Sequence, residues 1–364
     1  MKKFLSCTAL FLIPVLLVYA LFGFAIYKSG EWRTEEEIVQ RISDGEDLLM
    51  GLAYRDNTFY FKHLAASAKK ADLLVLGTSR SMQFSSKFFT EPSFYNAGGG
   101  ANYTHAYRYF LETLPEDATP ETLILVLDQY FFEQGWSDQG SWPELDYSHY
   151  SFDPAASLPR LLKDWAGGKF SLRKMLNPPE HTYGIAAVGR GSGFYSDGSY
   201  CYGNLMDHPE LGTDVGFHDS FNRIDTGTKR FEWSDTVYQP SLDEMARLME
   251  LCHQKGIQVV AVIPPYAPSV WQRMQQSGNY SYIDALSGAL HEILDPYGFE
   301  LHDFTFMPET QDAEYIDGYH GGDRVYARLT LELAEKSPSL AEKIDTDYLT
   351  RALAEGSNPL RLGV

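Results

Sequence analysis

The stretch that decides the fold is Ala71-Asp72-Leu73-Leu74-Val75-Leu76-Gly77-Thr78-Ser79-Arg80-Ser81. Its apolar core is too short for a helix and shows no polar alternation, so it reads as a strand covered on both faces, as in a parallel sheet. Two later runs repeat the pattern. Leu123-Ile124-Leu125-Val126-Leu127 ends in Asp128, and Ile257-Gln258-Val259-Val260-Ala261-Val262-Ile263 ends in Pro264-Pro265. Helical stripes separate and follow the runs: Leu242, Met245, Met249 and Cys252 over 241–254, Ile283, Leu286, Leu290 and Ile293 over 282–294, and Val325, Leu329 and Leu333 over 323–336. Residues 299–304 add a short strand. Alternating strand and helix imply an α/β fold with a parallel sheet between two helical layers. In such sheets ligands bind beyond the carboxyl ends of the strands, so chemistry is expected just after each apolar run.

Working outward, the 364 residues contain 30 basic and 49 acidic side chains, a net charge of −19. Phosphate neutralisation needs clustered Lys and Arg, so this balance argues against a general nucleic-acid binder. Three cysteines exclude a disulfide scaffold and a Cys-rich zinc module. A Cys201–Cys252 bridge is open on sequence grounds, beside the reading of Cys252 as a small core residue. Residues 4–27 run 24 positions without a charge, a length of about 36 Å as a helix, enough to cross a hydrocarbon core. Lys2 and Lys3 before this run place the N-terminus in the cytoplasm and the rest of the chain outside. A cleaved signal peptide is the competing reading, but the apolar run is long for one and has no evident small-residue cleavage site.

The organisation expected is a cytoplasmic tip and transmembrane anchor over 1–30, a juxtamembrane helical stalk over 31–69, the main α/β domain over 70–345 and a tail over 346–364. Residues 133–238 interrupt the domain with a Trp-, Tyr-, Gly- and Ser-rich insertion. Its Trp136, Trp142 and Tyr150 are candidates for stacking on sugars, or for a small core of the insertion itself.

Ser79 follows the first strand, on a turn expected to enter a helix whose N-terminus offers N–H groups to a developing oxyanion. Alternatively, Ser79 or Ser81 caps that helix. Near the other end, Asp317-Gly318-Tyr319-His320 lies in a loop before the last helix. A carboxylate three residues before an imidazole can hold one ring nitrogen while the other faces a serine, which makes an oriented general base. Asp128 reads most simply as an edge residue bonding loop amides. The ten histidines show no HExxH or paired spacing, so no metal is expected, and His291 and His302 read as structural or exposed.

Thr78-Ser79 after an apolar strand, the Gly-rich Asn96-Ala97-Gly98-Gly99-Gly100 and the terminal Asp317–His320 motif together resemble the SGNH (GDSL-type) hydrolase and acyltransferase superfamily. The likeness covers about residues 70–132 and 240–336. With the N-terminal anchor, it is most similar to the membrane-anchored bacterial branch typified by the D-alanyl transfer protein DltD. The resemblance implies a three-layer, flavodoxin-like fold with Ser79 as nucleophile, His320 as base and Asp317 as its orienting partner. Oxyanion donors would be the N–H groups of Ser79 and of Gly98 or Gly99, with Asn102 or Gln129 as a third. It implies no cofactor, an acyltransferase or esterase acting on an extracellular glycopolymer, and a membrane-bound O-acyltransferase (MBOAT) type partner supplying acyl groups. Thr78 stands where the family has aspartate, and Leu127-Asp128-Gln129-Tyr130 replaces its Gly-x-Asn-Asp block. A non-catalytic assembly factor of an envelope polysaccharide complex, and a simple acetyl esterase, are the alternatives.

Overall fold

The computed structural model describes residues 2–54, 58–137 and 154–363. The chain forms two compact units: Met1–Asn57, Ser148–Ser196 and Cys201–Gly203 make the smaller, and Thr58–Tyr147, Asp197–Tyr200 and Asn204–Val364 the larger. The interrupting residues 133–238 are therefore shared between them rather than forming a body of their own.

The larger unit is built on five strands: β1 Leu73–Gly77, β2 Phe94–Gly98, β3 Thr122–Val126, β4 Gln258–Ile263 and β5 Glu300–Asp303. All neighbours pair in parallel, in the order β2-β1-β3-β4-β5. This is the doubly wound order, whose switch point falls between β1 and β3 at the carboxyl edge. β1 to β3 are buried along their whole length, β4 along all but its first residue, and the edge strand β5 is half-buried. Leu73, Val75, Ile124, Val126, Val260 and Val262 pack in one cluster with Val325, Leu329 and Leu333 of the helix Asp323–Lys336. Their alternates, among them Leu74, Leu76, Leu123, Leu125 and Val259, are equally buried and face the other way. Burial on both faces is why these strands read as unbroken apolar runs.

β2 has no such run, and sequence patterning shows residues 96–100 only as a Gly-rich loop. Its Asn96 is fully buried, with the side chain donating to Ser81 O (2.9 Å) and Phe84 O (2.7 Å). The outer side of the strand is met by Asp197–Tyr200, whose Asp197 O accepts from Asn96 N–H at 2.8 Å. Gly198 (φ +83°) is required there, because a Cβ would sit 2.1 Å from Asn96 O. The buried Lys62, on helix Thr58–Lys69, donates to Asn96 O (2.9 Å) and to Gly198 O, which ties both segments together. Burial pushes this ammonium well below its usual pKa, against the pull of Asp197. The region expected as a tail contains the helix Thr346–Glu355, which buries Leu349.

In the smaller unit, helix Lys2–Lys28 includes a stretch, Leu10–Lys28, long and apolar enough to cross a membrane. Beyond it, Glu31 accepts from the N–H groups of Ala53 (2.8 Å), Tyr54 (2.9 Å) and Ile185 (2.8 Å), and the short helix Glu35–Ser43 follows. Leu49–Met50 pairs in parallel with Thr182–Tyr183 and antiparallel with Ser192–Tyr195.

Candidate active site

The site stands at the carboxyl edge of β1 and β3. After Gly77 the chain makes one 3-10 turn, Ser79–Ser81, and not the α-helix expected from the sequence. Two side chains account for the difference. Ser81 Oγ donates back to Thr78 O at 2.8 Å, and Asn96 draws the carbonyls of Ser81 and Phe84 off a helical path. Thr78, rather than either serine, is the cap, its Oγ1 accepting from Arg80 N–H at 3.1 Å. Ser79 Oγ is thereby left for another partner.

That partner is His320. Ser79 Oγ lies 2.8 Å from His320 Nε2, and His320 Nδ1 lies 2.7 Å from Asp317 Oδ2. The other carboxylate oxygen accepts from the N–H groups of Tyr319 (3.0 Å) and His320 (2.8 Å), so Asp317 shapes the loop as well as holding the ring. Ile316 N–H to His320 O (2.8 Å) and Gly318 O accepting from Ala267 N–H (3.1 Å) close the turn. Burial works to raise the Asp317 pKa, but the His320 ring and the donated hydrogen bonds outweigh it and hold the carboxyl below its usual range. An ionised carboxylate only accepts, so Nδ1 carries the ring proton, and in the neutral imidazole Nε2 accepts from the Ser79 hydroxyl. His320 and Asp317 keep 14% and 24% of their side-chain surface exposed, so the chain of hydrogen bonds opens to solvent.

Three of the donors expected at an oxyanion are otherwise engaged. Gly98 N–H donates to Asn96 Oδ1 (2.6 Å), and Gly99 N–H to Gly77 O (2.9 Å) and Thr78 O (3.1 Å), because the β1–β2 ladder runs on past the strand ends. Gln129 gives its amide to Pro264 O (2.8 Å) and Thr305 Oγ1 (3.1 Å). Asn102 lies in the bend that precedes helix Thr104–Thr113. Of the expected donors, the Ser79 N–H is the one at the serine itself.

Arg80 is the group that sequence reasoning missed. All five of its N–H bonds are used: Nε to Tyr319 O (3.0 Å), Nη1 to Asp128 Oδ1 (2.9 Å) and Gln129 Oε1 (2.7 Å), Nη2 to Pro264 O (2.9 Å) and Pro265 O (2.8 Å). Asp128 Oδ2 accepts from Thr78 Oγ1 at 2.6 Å, so Asp128 bonds a guanidinium and a hydroxyl, not the loop amides expected of it. Both members of the ion pair are fully buried. Burial opposes the charge on Arg80, and Asp128 more than restores it, leaving the guanidinium pKa above its ordinary value. One side chain therefore ties the ends of β1, β3 and β4 to the loop that carries His320.

Trp136 packs against Tyr103 (5.9 Å) and Tyr130 (5.1 Å) with the Arg230 guanidinium 5.0 Å above it, so it joins the larger unit's aromatic cluster and not a core of the insertion. Trp142 and Tyr150 lie outside the described residues. Cys201 and Cys252 are free thiols, and burial pushes that of Cys252 up to about 12. His302 and His291 pair with Glu300 and Asp295, each at 3.0 Å. Among the described residues no three His, Cys, Asp or Glu side chains group to hold a metal.

Fold and site together define a class: a parallel α/β protein that sets a Ser–His–Asp hydrogen-bond chain at its sheet edge, with an apolar N-terminal helix. Compared with known proteins, the chain matches no family model and no curated sequence.

Proposed function

We propose that this protein is a membrane-anchored serine acyltransferase or esterase of the SGNH type, acting outside the cytoplasmic membrane on a cell-envelope glycopolymer. The observation that carries the reading is the continuous chain from Ser79 Oγ through His320 to Asp317, at 2.8 and 2.7 Å. Its placement beside the switch point of a doubly wound sheet supports it further. In the proposed reaction His320 Nε2 takes the Ser79 proton as Oγ attacks the acyl carbonyl, and the Ser79 N–H supports the oxyanion. The donor's leaving oxygen departs with that proton, and the acyl group stays on Ser79 as an ester. A sugar hydroxyl, or water, then gives its proton to His320 and attacks the ester carbonyl; the bond to Ser79 Oγ breaks, His320 returns the proton to that oxygen, and the acylated sugar, or the free acid, leaves. Asp317 keeps the ring in the needed tautomer throughout. The apolar helix would tether this unit near an MBOAT-type membrane protein delivering acyl groups, with the N-terminus in the cytoplasm.

The test is the O-acyl content of envelope polymer in cells carrying Ser79→Ala at unchanged protein abundance. Loss of acylation supports the reading. Full acylation refutes it and favours a non-catalytic assembly role.

A further inference from the structure

We infer that helix Pro154–Ala166 and the segment after it form a collar that seats on the membrane surface and binds the phosphodiester headgroups of anionic lipids. The inference rests on the anchoring just proposed and adds a lipid-binding surface to it. Three independent observations within the smaller unit lead to it.

The first is packing. Leu158, Leu161, Leu162 and Trp165 fall on one stripe of their helix, and Leu161 is buried with Phe22, Ala25 and Ile26 of the apolar helix and with Met175 and Ile185. One side of the end of the apolar helix is thus covered by protein, while Phe24 and Tyr27 on the other side stay exposed. The second is length. Trp165 meets the Phe22 ring edge-on at 5.4 Å, six residues before the helix ends at Lys28. The helix before that contact, residues 4–21, is about 27 Å long, close to the thickness of a bilayer core, and Leu10–Leu21 are all exposed. Trp165 then lies where the core ends, and it keeps 45% of its surface exposed. Half-exposed tryptophan at that depth is the mark of a membrane interface.

The third is charge. In a chain of net charge −19, residues 158–176 hold five basic side chains, Arg160, Lys163, Lys169, Arg173 and Lys174, against the single acid Asp164. All five are exposed. Lys169 is paired with Asp164 at 2.8 Å and Arg160 lies over the Tyr54 ring at 5.1 Å, but both remain beside Trp165 in the chain. Basic residues next to a spanning helix attract anionic headgroups, and they do so most strongly within a Debye length. A basic patch beside the spanning helix holds the smaller unit to anionic headgroups as well as to the bilayer core.

The test uses the full chain in vesicles of phosphatidylcholine alone or mixed with phosphatidylglycerol, with lipids brominated near the headgroup. The Trp165 signal is taken as the fluorescence lost in Trp165→Phe. The expected result is that this signal is quenched, more strongly with phosphatidylglycerol, and that Lys163→Glu/Arg173→Glu/Lys174→Glu lowers the phosphatidylglycerol-dependent part to roughly half or less, as raised salt does in the unaltered chain. An unquenched Trp165 signal in a chain that floats with the vesicles overturns the collar and leaves the anchor standing. Equal quenching in the charge-reversed variant overturns headgroup binding. A chain stripped from the vesicles by carbonate overturns the anchor and the collar together.

Discussion

Replacing Asp128 by Asn changes one charge at the centre of the site and almost no volume. Asp128 and Arg80 are both fully buried and 2.9 Å apart. Breaking a buried pair costs about 3 to 5 kcal/mol, chiefly because the remaining charge stays buried without compensation. Arg80 retains four other acceptors, Tyr319 O, Gln129 Oε1, Pro264 O and Pro265 O, and an Asn oxygen can still receive Nη1. The lower end therefore applies, about 3 kcal/mol, and at about 2 °C per kcal/mol for a domain of this size the midpoint falls by about 6 °C. The assay is thermal unfolding of the full chain in detergent. Asp225→Asn is the control, since Asp225 is paired with Arg273 in two bonds of 2.7 and 2.9 Å but on the surface, and it is expected to leave the midpoint unchanged. If Asp128→Asn melts like the control, the buried pair is not what holds the strand ends and the His320 loop together.

Other predictions follow from the same geometry. Asp317→Asn removes the acceptor that sets the His320 tautomer, so fluorophosphonate labelling of Ser79 is expected to slow by about a thousandfold or more in a time course, with the midpoint changed far less than by Asp128→Asn. Gly318→Ala places a Cβ 2.4 Å from Ser220 Oγ and 3.0 Å from Val270 Cγ2, which must displace the loop between Asp317 and His320. A loss of about 1 to 3 kcal/mol together with slowed labelling is expected in parallel melts and time courses. Burial raises the Asp323 carboxyl to about 6, with Arg361 opposing. The folded state thus holds this proton more tightly than the unfolded chain, so the stability it lends is full below pH ~4 and is lost as pH rises through about 6, about 3 kcal/mol in all. Asp323→Asn removes that slope, and midpoints measured across this range are expected to converge with those of the unaltered chain at the acid end.

How much of this was legible beforehand depended on where each residue's partners lie in the chain. β1, β3 and β4 were readable because burial on both faces demands continuous apolar runs. The helices Gln239–Gln254, Ser281–Leu294 and Asp323–Lys336 were readable from their stripes to within two residues. β2 was not, since Asn96 and Gly98 carry no strand signal and the strand is held by Lys62 and by Asp197–Tyr200, far away in sequence. Ser79, His320 and Asp317 were each visible as motif residues, and their meeting needed the fold. Arg80 carries no signal of its role in the sequence, because its five acceptors come from segments that gather only when three strand ends and the His320 loop are in place.

The central claim is that Ser79 is a nucleophile activated through His320. Intact-mass analysis after exposure to a fluorophosphonate measures this most directly. The account predicts a single adduct, mapped to Ser79, absent in Ser79→Ala and formed far more slowly in His320→Gln. An adduct that forms equally fast without the imidazole, or that maps to another residue in the folded chain, would contradict it.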